Sequence, residues 1–217
     1  MKRLFYVLRG IRRVQGRSFS RPVRQPFTLN NLAMFCNFIS CRMNNFDALM
    51  LKASVTIAFF SLLRSSEYTM KSSRVWDPSS ELGLQDVSQG DFGDYVLNIK
   101  CSKTDPFKEG FKLQLTSLDS VFCPVVALQR FLSVRGSVLG PLFIFSDGSF
   151  LTRNKLSSLI KNCFPNLFLD THSLRIGGAT LASQLGVSPL LIKNGSLRSN
   201  TFMRYIRYNE TDLSMAR

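Results

Sequence analysis

Residues 44–68, NNFDALMLKASVTIAFFSLLRSSEY, decide how this chain folds. Their apolar residues recur at helical spacing, and in the second half, VTIAFFSLL, they cover nearly the whole circumference. A helix that is apolar all round has no solvent face and belongs in the middle of a core. The stretch therefore predicts one central helix from Asn44 to about Tyr68, whose C-terminal end delivers Arg64 and Glu67. An arginine directly after TIAFFSLL is costly to bury alone. Either a carboxylate, Glu67 or Glu81, neutralises it, or it is offered to an anionic ligand.

Outward from this helix the pattern changes twice. On the N-terminal side Thr28 caps a helix running to about Cys41, and Pro22 and Pro26 place a linker near Arg17–Phe27. On the C-terminal side, between Leu82 and Leu118, the runs YVLNIKCS, TDPFKEG and FKLQLTSL alternate with period two, which predicts a β-hairpin whose turn holds Pro106 and Gly110. CPVVALQRFLSVRG reads as a helix, and PLFIFSDGSFLT as an extended segment turning at Asp147-Gly148. RNKLSSLIKNCF reads as a helix bearing Arg153 and Lys155 as candidate DNA-binding cations. From Thr171 onward THSLRIGGATLASQLG, SPLLIKNG and SNTFMRYIRYN read as further helices. The expected fold class is mainly α with a small antiparallel β-sheet (α+β). No internal repeat or low-complexity tract is present.

Composition narrows the function. The 217 residues suit one domain with a short arm, and 45% apolar residues with nineteen Phe can fill a core. Twenty-eight Lys+Arg against fourteen Asp+Glu leave a net charge of +14, which favours a polyanionic partner, with nucleic acid ahead of a membrane surface. The stretch from Met1 to Gln25 carries Lys2, Arg3, Arg9, Arg12, Arg13, Arg17, Arg21 and Arg24 and no acidic residue. It is a basic arm or a solvated, charged helix end. The five cysteines, odd in number and never spaced C-x-x-C, indicate reduced and mostly buried thiols, neither a zinc cluster nor a disulfide framework. A single histidine, His172, excludes a multi-histidine metal site. No apolar run reaches the roughly eighteen residues of a membrane span, and no signal peptide is evident. The expected setting is intracellular, and nuclear if the host is eukaryotic.

Four features stand out as chemistry. His172 and Arg175, three apart, share a helix face and can converge on one anion, although a lone histidine also suits a helix start. Arg64 ends a core helix, Lys103 lies at the hairpin, and Tyr205 is flanked by Arg204 and Arg207. A tyrosine in such a setting can equally be an amphipathic core residue.

Taken together, LLRSSE ending at Glu67, SKTD around Lys103, HSLRIGGATLA from His172 and RYIR around Tyr205 resemble, in this order and spacing, the catalytic domain of tyrosine recombinases, the phage-integrase family. The wording is most similar to recombinases of eukaryotic Crypton and DIRS-type elements. The resemblance implies the tyrosine-recombinase catalytic fold over residues 21–217, with residues 1–20 a basic arm left from an amino-terminal core-binding domain. It implies that Tyr205 attacks a scissile DNA phosphate, leaving a 3′-phosphotyrosine and a free 5′-hydroxyl. Arg64 and Arg175 would clamp the non-bridging oxygens. Lys103 would protonate the leaving 5′-oxygen, and His172 would accept or shuttle the tyrosine proton. Glu67 matches the carboxylate that supports the first arginine from behind. Arg9, Arg12, Arg13, Arg17, Arg153, Lys155, Arg204 and Arg207 would bind DNA. The partner implied is double-stranded DNA gripped by a homotetramer, with no membrane. No cofactor and no metal are implied, since arginines supply the charge a metal would.

Two departures from the family pattern bear on activity. At the usual position of a second histidine or tryptophan, counting back from Tyr205, the chain has Leu197, which has no hydrogen-bond donor. Losing one such donor costs about 3 kcal/mol of transition-state stabilisation, or roughly two orders of magnitude in rate. Against the family pattern, only Met1 to about Gly16 would remain of the amino-terminal clamp domain, and the tail IRYNETDLSMAR would leave little room for an exchanged helix. Both point to a fragment of a longer reading frame or a degenerate copy of an element. The alternative expectation is a catalytically decayed or domesticated DNA-binding module of the same fold. RNA binding would rest on charge alone, because the chain lacks an aromatic stacking motif.

Overall fold

Thr28 opens α1 (Leu29–Arg42): its side chain accepts from Asn31 N while the Asn31 side chain accepts from Thr28 N, a reciprocal cap. The structure, a computed structural model, describes residues 24–90, 93–102, 105, 107, 109–188 and 190. Asn44 caps α2 (Asn45–Phe60) through Asp47 N. Asp47 in turn accepts from Ser146 N at 2.7 Å, which fixes the start of α2 to the distant Asp147-Gly148 turn. As the apolar pattern requires, Met50, Leu51, Ala53, Val55, Ile57, Ala58 and Phe59 are completely buried.

The predicted single helix to Tyr68 is corrected: α2 stops at Phe60, and a separate short helix α3 (Ser65–Tyr68) follows. Leu62 takes φ 55°, the left-handed region. Leu63 N reaches back to Ala58 O at 3.0 Å and Leu62 N to Phe59 O at 3.4 Å, a Schellman-type stop. Leucine in this conformation costs about 1 kcal/mol. Burial of its side chain offsets that cost. Helical periodicity continues through the break because both arms bury apolar residues, so the pattern alone could not show it.

The expected hairpin is present as β2 (Tyr95–Ile99) and β3 (Phe111–Leu115), antiparallel with Leu97 opposite Leu113. Tyr95, Leu97, Ile99, Leu113 and Leu115 face the core while Asn98, Lys112 and Gln114 face out. A strand the sequence did not disclose, β1 (Val87–Gln89), pairs antiparallel with β2 to complete a sheet of order β1-β2-β3. Three residues are too few to show a period. Between β2 and β3, Gly110 takes φ 68° and donates its N–H to Asp105 Oδ2 at 2.7 Å. Pro106 lies outside the described residues.

Next come α4 (Pro124–Arg135), with proline at its first turn, and α5 (Arg153–Cys163), capped by Thr152. The helix α6 (Thr171–Gln184) is capped by Asp170, whose Oδ1 accepts from His172 N and Ser173 N. The central helix α2 packs against α1, α4 and α6. Arg135 is buried, with its guanidinium donating to the Val138, Pro141 and Leu142 carbonyls that follow α4. The expected turn at Asp147-Gly148 closes with Phe145 N on Ser149 O at 2.8 Å.

The Gly177-Gly178 pair sets how closely α6 packs. A Cβ on Gly177 would lie 1.8 Å from Phe27 O, and one on Gly178 2.1 Å from Phe59 O. Only glycine lets the backbone of α6 touch both the lead-in to α1 and the end of α2. All five thiols are free, but only Cys36 and Cys123 are buried, and Cys41 is exposed; the expectation of mostly buried thiols is corrected. Cys41 sits in the last turn of α1, where the apolar face has already run out.

Candidate active site

The break after α2 builds the first half of the site. Because the chain turns at Leu62, Arg64 becomes the N-cap residue of α3, and Glu67 reaches back to accept from Arg64 N at 2.7 Å. The same carboxylate accepts from Arg64 Nη1 at 3.1 Å and from Ser102 Oγ at 2.7 Å, while Arg64 Nη1 also donates to Ser102 Oγ at 3.2 Å. Of the two partners that the sequence offered Arg64, the fold uses Glu67. Glu81 instead accepts from the Lys71 and Asp77 backbone N–H groups. The Glu67 side chain is 1% exposed and that of Arg64 19%, so one edge of the pair opens to solvent. Ser102, which follows β2 and directly precedes Lys103 in sequence, is thereby tied to this pair. Sequence reasoning missed that role, for which SKTD gave no signal beyond its neighbour.

The second half comes from α6. Arg175 is 1% exposed, and its Nη1 donates to the Leu62 carbonyl, a group freed of a helical partner by the break. Both arginines are therefore anchored at the same α2–α3 corner, one on Leu62 and one at the N-cap two residues later. His172 lies one turn before Arg175, half-buried in the first turn of α6. Burial lowers its pKa most, followed by the Arg24 charge; Arg175 and Arg153 push the same way and Asp170 opposes them. These causes favour the neutral imidazole, and the charges acting on it among the described residues are positive on balance.

Asp170 was not foreseen as part of this arrangement, although D-x-x-S before a helical run is a capping signature. Its Oδ2 takes Arg24 Nε at 2.7 Å while Oδ1 caps α6. Tyr68, buried beside it, has a hydroxyl without a hydrogen-bond partner among the described residues. Burial raises the Tyr68 pKa, Asp170 and Glu67 add to that, and Arg153 counters it.

Of the predicted site residues, Arg64, Glu67, His172 and Arg175 come together, and Arg153, at the start of α5, acts on both His172 and Tyr68. Lys155 lies elsewhere on α5, its Nζ 4.5 Å from the centre of the Phe145 ring. Lys103, Leu197, Arg204, Tyr205, Arg207 and the arm residues Arg9, Arg12, Arg13 and Arg17 lie outside the described residues, as do the predicted SNTFMRYIRYN helix and nearly all of SPLLIKNG. Among the described residues no cluster of His, Cys, Asp or Glu could hold a metal ion, and no helix is long and apolar enough to cross a membrane.

No protein-family model matches the chain, and no curated protein matches it significantly. Solved structures do. The XerH site-specific recombinase bound to a palindromic difH substrate, in its post-cleavage complex, superposes with TM-score 0.62 at 21% identity, over 90% of this chain and 53% of that one. XerA recombinase gives 0.61 at 16% identity over 91% and 64%. A lambda integrase dimer bound to a COC′ core site gives 0.62 at 14% identity over 89% and 51%. The fold is that of the tyrosine-recombinase catalytic domain, mainly helical with a small antiparallel sheet. The chain spans between about half and two thirds of the length of these structures.

Proposed function

We propose that this chain is the catalytic part of a tyrosine-type site-specific DNA recombinase, which cleaves and rejoins DNA through a covalent 3′-phosphotyrosyl intermediate. The carrying observation is the anchoring of Arg64 and Arg175 at one corner near His172, on a fold shared with recombinases solved on their DNA sites. In this reading the Tyr205 oxygen bonds to phosphorus as the bond to the 5′-oxygen breaks. His172 takes the tyrosine proton, and Lys103 gives one to the departing oxygen. The two guanidinium groups hold the charge that grows on the non-bridging oxygens. Glu67 and Ser102 fix Arg64, and the Leu62 carbonyl fixes Arg175, so neither has to reorganise during reaction.

Residues 21–217 form the catalytic domain and residues 1–20 a basic arm. The working form is a homotetramer on double-stranded DNA, nuclear if the host is eukaryotic, and the ancestry is a Crypton or DIRS-type mobile element. The second reading, a decayed DNA-binding module, is favoured by Leu197, which offers no donor where the family has one.

Relaxation of supercoiled plasmid in excess EDTA tests this. Nicking or relaxation by the wild type that vanishes in Tyr205→Phe establishes the nucleophile. Silence from the wild type with activity in Leu197→Trp identifies a decayed enzyme with an otherwise intact site. Silence from both, with DNA binding kept, leaves the binding module.

A further inference from the structure

We propose that Arg24 is a further phosphate-binding residue of this site, held by Asp170 beside His172 so that the lead-in to α1 and the helix α6 grip one stretch of DNA backbone. The proposal rests on the DNA-binding part of the function proposed above.

Four observations carry it. First, the chain from Arg24 to Thr28 is laid along the start of α6 by backbone bonds. Gln25 N donates to Phe168 O at 3.2 Å and Phe27 N to Ser173 O at 3.0 Å, and Phe27 is completely buried. Second, Gly177 lets the Phe27 carbonyl lie directly on α6, so the lead-in cannot shift without moving the helix that carries His172 and Arg175. Third, Arg24 Nε lies 2.7 Å from Asp170 Oδ2, while the other oxygen of Asp170 is engaged as the helix cap. A guanidinium has five N–H donors and commonly pairs with a carboxylate as a two-pronged fork. The contact is made by Nε and the Arg24 side chain is 47% exposed, so the guanidinium is accessible to a ligand as well. Fourth, among the described residues the charges that act on His172 are Arg24, Arg153 and Arg175 against Asp170, a surplus that a bound phosphodiester neutralises.

A half-exposed ion pair contributes little to stability, so structure alone gives weak reason for an arginine here. As a phosphate contact it adds a defined increment to the salt dependence of binding, because each neutralised phosphate releases counterions.

The test is binding of a short duplex DNA by fluorescence anisotropy over a range of salt concentrations, for wild type, Arg24→Gln and Arg24→Lys, with melting curves to confirm folding. Arg24→Gln should reduce the slope of log affinity against log salt by about 1, and Arg24→Lys should keep it. Asparagine caps helices as well as aspartate, so Asp170→Asn removes the ion pair and spares the cap. In that background Arg24→Gln should lose less affinity than in the wild type. A wild type that binds DNA with a slope unchanged in Arg24→Gln overturns the proposal alone. An Arg24→Gln effect of equal size in both backgrounds overturns the role of Asp170. A wild type that does not bind DNA at low salt overturns the functional reading as well.

Discussion

Arg175, on α6, donates through Nη1 to the carbonyl of Leu62, the left-handed residue at which the central helix stops. Two elements far apart in sequence are thereby joined at one corner. A guanidinium at the C-terminal end of α2 also meets the negative end of that helix. The backbone break that redirects the chain toward Arg64 thus also supplies the acceptor that orients the second arginine.

Arg175→Ala leaves the Leu62 carbonyl without this donor inside the protein. The expected loss is about 1–3 kcal/mol of stability, visible in urea denaturation without any DNA. An unchanged midpoint would mean that the carbonyl is satisfied by other means and that the contact does not hold the corner together.

Glu67→Gln keeps the shape of the side chain and removes its charge. The carboxylate accepts from Arg64 N, Arg64 Nη1 and Ser102 Oγ, and it is almost wholly buried. A destabilisation of about 2 kcal/mol follows from weakening hydrogen bonds to a charged acceptor. On the function proposed above, DNA cleavage should fall more than DNA binding, because the variant frees Arg64 to move without removing it.

Gly178→Ala reverses the usual expectation for a helix interior, where alanine is favoured over glycine by about 1 kcal/mol. Here the new methyl group would overlap the Phe59 carbonyl. A net loss of about 2–3 kcal/mol is expected from overpacking, read as a lowered melting temperature. A variant more stable than the wild type would show that α6 can slide away from α2 at little cost.

His172 is the only histidine in the chain, so its titration can be followed by NMR without assignment. Burial and then Arg24 depress its folded pKa, so the unfolded chain takes up the proton at higher pH than the folded one. Stability from this group is complete above the unfolded value of about 6.5 and is lost as pH falls from there through the folded pKa. His172→Gln should flatten that part of the stability profile. Arg24→Gln should raise the titration midpoint and Asp170→Asn lower it, and bound DNA phosphate should raise it. Equal midpoints in all three proteins would mean that these charges do not act on the imidazole.

The sequence by itself determined the materials: a helix apolar enough to be central, a hairpin of period two, a positive surplus, and the strings LLRSSE, SKTD and HSLRIGGAT in that order. Hydrophobic periodicity and short motifs are local, so a single strand of text carries them. Tertiary structure alone decided that the central helix breaks at Leu62, that Glu67 and not Glu81 holds Arg64, and that Ser102 joins them. It also decided that the two glycines of α6 face Phe27 and Phe59, and that Arg24 reaches Asp170. Each of these depends on which backbone groups meet across distant parts of the chain. A break between two buried apolar runs leaves the periodicity intact, and a carboxylate's choice of partner is settled only once packing has fixed the distances.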